Sequence, residues 1–217
     1  MESPLCPIAN GSDLQLIETL AYHPGQGLVR RSRHLRRMER SAQALGMRWD
    51  RAAAEAQLTQ ITGDQPRRCR LTLDTQGRFT LTTAALTPTA GPWRIALAQT
   101  RLDSTDPWLR HKTTRRALYD QARATLPKGV DEMIFQNEQD ALCEGTITNL
   151  FLTTRDGRRI TPPLQAGVLP GILRETLIED ETYTEAPVTL SDLHSARALH
   201  MGNSLRGLIP ALLVGPS

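Results

Sequence analysis

The sequence predicts an α+β protein of two domains. Strand-like and helix-like segments alternate irregularly along the chain, without the regular strand–helix repeat of a doubly wound sheet. The first half reads as a small sheet packed against two helices. A polar, turn-prone stretch, Asp-Ser-Thr-Asp-Pro (103 to 107), separates it from the second half. A length of 217 residues with 39% hydrophobic content allows a proper core without staples. The expected organisation is a domain at 1–102, a linker at 103–107 and a domain at 108–217.

Residues 14 to 22 and 28 to 30 read as a hairpin, because His23-Pro24-Gly25-Gln26-Gly27 supplies turn chemistry between them. From Ser32 to Leu45 the apolar positions Leu35, Met38, Ala42 and Leu45 recur at helical spacing, with Ser32 as N-cap and Gly46 past the end. An alanine-rich helix is expected over 50–62. Strands follow at 68–74, 78–84 and 93–100, the first two joined across residues 74 to 77. The second half predicts a helix over 113–125, strands at 131–136 and 147–154, a turn at Asp156-Gly157 and a short strand to Thr161. A helix from Gly171, a short helix over 190–195 and strands at 197–202 and 205–209 complete it.

Composition narrows the function. A net charge of +3 is mild, and the arginines between Arg30 and Arg40 lie on a helical segment without the aromatic interleaving that base stacking needs, so nucleic acid is not an expected partner. Three cysteines, Cys6, Cys69 and Cys143, are odd in number and lack metal-ligand spacing, which predicts neither a disulfide framework nor a metal site and suits a cytoplasmic location. No basic segment followed by an apolar stretch opens the chain, and no apolar run reaches the roughly 18 residues of a membrane span. A soluble, unprocessed protein is expected.

Only two of the 26 basic residues are lysines, and one is Lys112 in His-Lys-Thr-Thr-Arg-Arg (111 to 116). Arginine cannot lose its proton near neutral pH, so a lysine kept in an arginine-biased chain is a candidate for amine chemistry. An ordinary surface lysine is the alternative. Three further segments carry chemistry. In Glu-Gly-Thr-Ile-Thr-Asn-Leu-Phe (144 to 151) a carboxylate precedes a strand, where a solvated edge residue is also common. In Gly-Val-Leu-Pro-Gly-Ile-Leu-Arg (167 to 174) a helix start offers free N–H groups to an anion, or is a plain helix start. In His-Met-Gly-Asn-Ser-Leu-Arg-Gly (200 to 207) small residues after a strand offer a hydroxyl and backbone donors, or form a plain turn.

In this order the segments resemble the class IV aminotransferase family, the pyridoxal-phosphate enzymes of fold type IV. The resemblance runs from Leu-Ile-Glu-Thr-Leu (16 to 20) and His-Leu-Arg-Arg-Met (34 to 38) to Asn-Ser-Leu-Arg-Gly (203 to 207). The stretch from Ser104 to Arg116 is most similar to the 4-amino-4-deoxychorismate lyase domain that some bacteria fuse to aminodeoxychorismate synthase. The resemblance implies a small N-terminal sheet-and-helix domain, a larger C-terminal pseudobarrel, and pyridoxal 5'-phosphate as cofactor. By position it makes Lys112 the lysine that holds the cofactor covalently and shuttles the proton. Arg37, the backbone of Ile172 and Leu173 beyond Gly171, and Ser204 match the phosphate grip; Glu144 matches the partner of the pyridine nitrogen, and Leu169 the residue on the ring face. Arg70, Asn203 and Arg206 are the candidates for substrate carboxylates, with His111 as a further contact.

The activity implied is conversion of aminodeoxychorismate to 4-aminobenzoate and pyruvate in folate synthesis, with a class IV aminotransferase reaction on an amino acid and a 2-oxo acid as the alternative. A homodimer and a functional link to the synthase are expected from the same likeness. Two departures stand out. The segment 10–18 is shorter than the N-terminal strand pair of relatives, and Ala117 stands where branched-chain enzymes carry a tyrosine, with Tyr119 two residues later.

Overall fold

The computed structural model describes residues 14–215. Cys6 and the segment before residue 14 lie outside the described residues. The chain forms two compact units. One runs to Thr87 and takes in His111–Arg115; the other comprises Pro88–Arg110 and the chain from Arg116 onward.

The first unit holds strands β1 (Gln15–His23) and β2 (Gly27–Leu28), helices α1 (Arg31–Ala44) and α2 (Arg51–Thr59), and strands β3 (Arg67–Asp74) and β4 (Phe79–Ala85). The antiparallel sheet has the order β2-β1-β3-β4. Strand alternation puts Leu16, Glu18 and Leu20 on one face, opposite Leu73, Leu71 and Cys69, and these join Leu35, Met38, Ala42, Ala54 and Leu58 in the buried set. The expected hairpin and both helices form. The start of α1 is set differently: Arg30, at φ 53°, occupies the N-cap without a side-chain cap, and Ser32 lies inside the helix. In α2 the Asp50 carboxylate caps Ala53 N–H at 3.0 Å.

The expected helix over 113–125 is shorter, α3 (Ala117–Ala124). Residues before it are extended. Ile17 N–H donates to the Lys112 carbonyl at 2.8 Å, Thr114 N–H to the Gln15 carbonyl at 2.9 Å, and Leu16 bridges Thr113 antiparallel. Two β-branched threonines favour this conformation, and the edge of β1 left bare by the short β2 supplies the backbone partners.

The second unit contains β5 (Trp93–Leu97), β6 (Glu132–Gln136), β7 (Leu142–Gly145), β8 (Asn149–Thr153), β9 (Arg159–Thr161), α4 (Ile172–Glu179), β10 (Thr184–Glu185), α5 (Leu190–Ser195), β11 (Ala198–Asn203) and β12 (Gly207–Leu213). Pairing runs β8-β11-β12-β5-β6-β7 and back to β8, closing a six-stranded barrel-like sheet that β9 and β10 extend. Closure removes the open edges of those six strands and encloses Ile95, Ile134, Leu142, Leu150, Leu152 and Met201. The architecture is α+β in two units, as the sequence predicts.

The domain boundary at 102 is corrected. β5 pairs with β6 and β12, so residues 88–110 belong to the second unit, and Lys112 with its neighbours belongs to the first. The presumed linker is tied down inside the second unit, where Ser104 donates from its N–H and hydroxyl to Glu138 at 2.9 and 2.7 Å. β7 and β10 were not expected as strands; a glutamate and a glycine break the apolar pattern of β7 although all four of its residues are buried.

Candidate active site

In the first unit the site residues gather on β1 and α1. His34, Arg37 and Ser41 recur at helical spacing on a buried stripe of α1. Glu18 sits on the apolar face of β1 and is 1% exposed. It accepts hydrogen bonds from Arg37 Nε and Nη2 at 2.8 and 2.7 Å, a bidentate fork that uses two of the five guanidinium N–H donors. His34 Nδ1 lies 2.6 Å from Glu18 Oε2, and because an ionised carboxylate only accepts, this nitrogen carries the proton.

Burial alone would raise the Glu18 carboxyl, but Arg37 and His34 overcome it and hold it at about 2, against 4.5 ordinarily. Burial pushes the His34 imidazolium pKa below 6.5, and the charges of Arg37 and Lys112 push the same way against Glu18. The Lys112 ammonium is therefore felt electrostatically by this buried group. Beside Lys112, the His111 ring contacts the Ser41 hydroxyl at 3.0 Å. Arg70 stands on β3 in register with Thr19 and Thr82, on the sheet face opposite Glu18, so the structure does not group it with Arg37.

In the second unit the site is built around Glu144, 5% exposed on β7 and facing Asn149 on β8. The reading of Glu144 as a solvated edge residue is excluded. Oε1 accepts from the Tyr119 hydroxyl at 2.8 Å, and Oε2 accepts from Asn149 Nδ2 at 3.1 Å and from the Leu169 N–H at 2.9 Å. Three donors on one buried carboxylate favour its ionised form. Asn149 Nδ2 also reaches the Leu169 carbonyl at 3.1 Å, so Leu169 is clamped through both backbone groups.

Gly171, the N-cap of α4, follows directly. A Cβ there would lie 1.9 Å from Asn149 Oδ1, so only glycine lets the helix start approach the Glu144–Asn149 pair. No side chain caps α4. Its first-turn N–H groups, including those of Ile172 and Leu173, have no acceptor within the helix.

Gly202 plays a similar part, because a Cβ on it would stand 3.0 Å from Leu173 Cδ2 and 3.0 Å from Phe151. The close approach puts the first turn of α4 beside the turn that carries Ser204. Asn203 does not extend toward a ligand: its Oδ1 accepts from Leu205 and Arg206 N–H at 3.1 and 3.0 Å, and its Nδ2 donates to the Ile147 carbonyl at 3.1 Å. Its side chain shapes the turn. The Arg206 guanidinium lies over the Trp93 ring at 5.9 Å.

The sequence reading missed Glu18, Tyr119 and Asn149. A carboxylate in the apolar alternation of β1 was a usable signal for the first; the others depend on which strands and helices meet. For a phosphorylated pyridine cofactor the donor set fits: an uncapped helix start beside a serine turn suits a phosphate, and a buried anion suits a protonated ring nitrogen. Among the described residues no group of histidine, cysteine and carboxylate side chains could hold a metal ion, and no helix is long and apolar enough to cross a membrane.

The family model for amino-transferase class IV matches residues 15–214. Among solved structures, a putative amino-acid aminotransferase from Mesorhizobium loti is 43% identical with a TM-score of 0.89, covering 93% of this chain and 100% of that one. A 4-amino-4-deoxychorismate lyase from Pseudomonas aeruginosa shares the fold at 23% identity and a TM-score of 0.79, over 94% of this chain and 83% of that one. By sequence, a putative aminodeoxychorismate lyase of Schizosaccharomyces pombe is 29% identical over 192 residues, 83% of this chain and 82% of that protein.

Proposed function

Because the chain belongs to the class IV aminotransferase family, whose enzymes use pyridoxal 5'-phosphate, we propose that it is a lyase converting 4-amino-4-deoxychorismate to 4-aminobenzoate and pyruvate. The observation that carries the chemistry is Glu144, a buried carboxyl group that accepts hydrogen bonds from Tyr119, Asn149 and the Leu169 N–H. The bound cofactor supplies an electron sink for a carbanion at the amine-bearing carbon of the substrate. Glu144 keeps a proton on the ring nitrogen, which deepens that sink, and Leu169 covers the ring face.

Lys112 holds the cofactor through its Nζ and, once released, takes the proton from the amine-bearing carbon. The electron pair left behind would expel the enolpyruvyl oxygen from the neighbouring ring carbon and leave the ring aromatic, and the released enolpyruvate would take the proton back from Lys112 on its methylene carbon to become pyruvate. Arg37, the N–H groups of Ile172 and Leu173 beyond Gly171, and Ser204 grip the phosphate. Glu18 fixes the orientation of Arg37, since a guanidinium forked on a carboxylate cannot swing. Arg70 and Arg206 remain the candidates for the substrate carboxylates. A cytoplasmic homodimer supplied by an aminodeoxychorismate synthase, serving folate synthesis, is the setting this reading implies.

Incubation with aminodeoxychorismate tests it: pyruvate and 4-aminobenzoate should appear in equal amounts. The second reading, an amino-acid aminotransferase, is favoured by the name and 43% identity of the Mesorhizobium loti structure. It requires that mixing with an amino acid convert the cofactor to its amine form and release a 2-oxo acid. That result, without pyruvate from aminodeoxychorismate, would replace the lyase reading.

A further inference from the structure

Glu132 on β6 is fully buried, and the chemistry above does not use it. Its Oε1 accepts from Thr146 N–H at 3.0 Å, Thr146 hydroxyl at 2.5 Å and Met133 N–H at 3.1 Å. Its Oε2 accepts from the Thr148 hydroxyl at 3.0 Å and Ile147 N–H at 3.3 Å. Arg123 Nη1 lies 3.5 Å from the same carboxylate and also donates to the Thr146 hydroxyl at 3.0 Å. The carboxylate thus gathers the whole turn between β7 and β8. Gly145 is needed for this approach, because a Cβ on it would come within 2.9 Å of the Glu132 side chain and 2.6 Å of the Thr148 hydroxyl.

That turn in turn holds the segment carrying Ser204. The Ile147 carbonyl, fixed by its neighbours' bonds to Glu132, accepts from Asn203 Nδ2, while Asn203 Oδ1 folds the turn through Leu205 and Arg206 N–H. A continuous series of hydrogen bonds therefore runs from Glu132 through Ile147 and Asn203 to the turn of Ser204. Only an acceptor without protons satisfies backbone N–H groups on both of its oxygens, which accounts for a carboxylate here rather than an amide.

We propose that Glu132 is a positioning residue for the phosphate end of the cofactor site, acting through the 145–148 turn and Asn203 on the turn of Ser204. This rests on the reading of Ser204 as a phosphate ligand. Glu132→Gln places an NH2 group against backbone N–H donors and should loosen the Ser204 turn while leaving Lys112 untouched. The readout is equilibrium binding by the apoprotein of pyridoxal 5'-phosphate and, separately, of pyridoxal, which lacks the phosphate.

E132Q should lose about tenfold or more in affinity for pyridoxal phosphate, with pyridoxal binding unchanged. Asn203→Ala, which cuts the series downstream, should show the same selective loss, and it decides the matter if E132Q does not fold. Variants that match wild type for both ligands overturn the proposal, as does an equal loss for both, the signature of a merely structural role. Wild-type protein that bound neither ligand would overturn the cofactor reading itself, an outcome distinct from either of these.

Discussion

The Tyr119 hydroxyl donates to Glu144 Oε1 at 2.8 Å, and the tyrosine ring packs edge-on against Phe135 at 5.3 Å between centroids. Burial, then the Glu144 charge, pushes the phenol pKa well above its ordinary value of 10, so Tyr119 remains a hydrogen-bond donor throughout the working pH range. Tyr119→Phe leaves Glu144 with Asn149 and Leu169 as donors. The expected result is a fall in kcat of about tenfold, the equivalent of one hydrogen bond to a charged group, with KM little changed. The protonation of the cofactor ring nitrogen, followed by nitrogen NMR, should weaken in parallel; an unchanged signal would remove Tyr119 from this role.

Lys112 stands on an extended segment bonded to the edge of β1, and its backbone contacts do not depend on its side chain. Lys112→Arg keeps the charge and should fold normally. It should lose at least about a hundredfold in turnover, because a guanidinium neither bonds covalently to the cofactor nor shuttles a proton. Borohydride reduction followed by peptide mapping checks the assignment, with wild type labelled at Lys112 and the variant unlabelled.

Gly171→Ala tests the packing of α4 on the Glu144–Asn149 pair. With φ of −68° the backbone tolerates alanine, so the cost is the contact with the Asn149 side chain, 1.9 Å from Oδ1 and 3.0 Å from Cγ. Overpacking of this kind destabilises by about 1–3 kcal/mol. A lowered melting temperature and weaker cofactor binding should appear together, since Asn149 is bonded to Glu144 and must move to admit the methyl group.

The Glu18 carboxyl lies at about 2 in the folded protein, from 4.5. A depressed folded value means that its contribution to stability is complete above about 4.5 and is lost as pH falls toward 2. The shift corresponds to roughly 3 kcal/mol. His34, whose pKa burial lowers below 6.5, adds in the same direction, because the unfolded chain takes up that proton at a higher pH than the folded one. Glu18→Gln should therefore be destabilised at neutral pH and show a flatter dependence of urea stability between pH 5 and 2.5. Parallel curves for the two proteins would contradict the pairing with Arg37.

The amino-acid sequence carried the α+β class, most of the strands and helices, and the order of the chemistry-bearing segments, because apolar periodicity, turn residues and the scarcity of lysine among the basic residues are local signals. It misplaced the unit boundary and the conformation of 111–115, since β5 and the Lys112 segment take their places from strand partners remote in the chain. The burial of Glu144 under Tyr119 and Asn149, the grip of Glu18 on Arg37 and the part of Asn203 in folding its turn emerge only when the elements pack together. A carboxylate or amide has the same local appearance whether solvated or enclosed. Its environment is fixed by which elements meet, and barrel closure through the β7–β8 pairing brings residues far apart in sequence into hydrogen-bonding range.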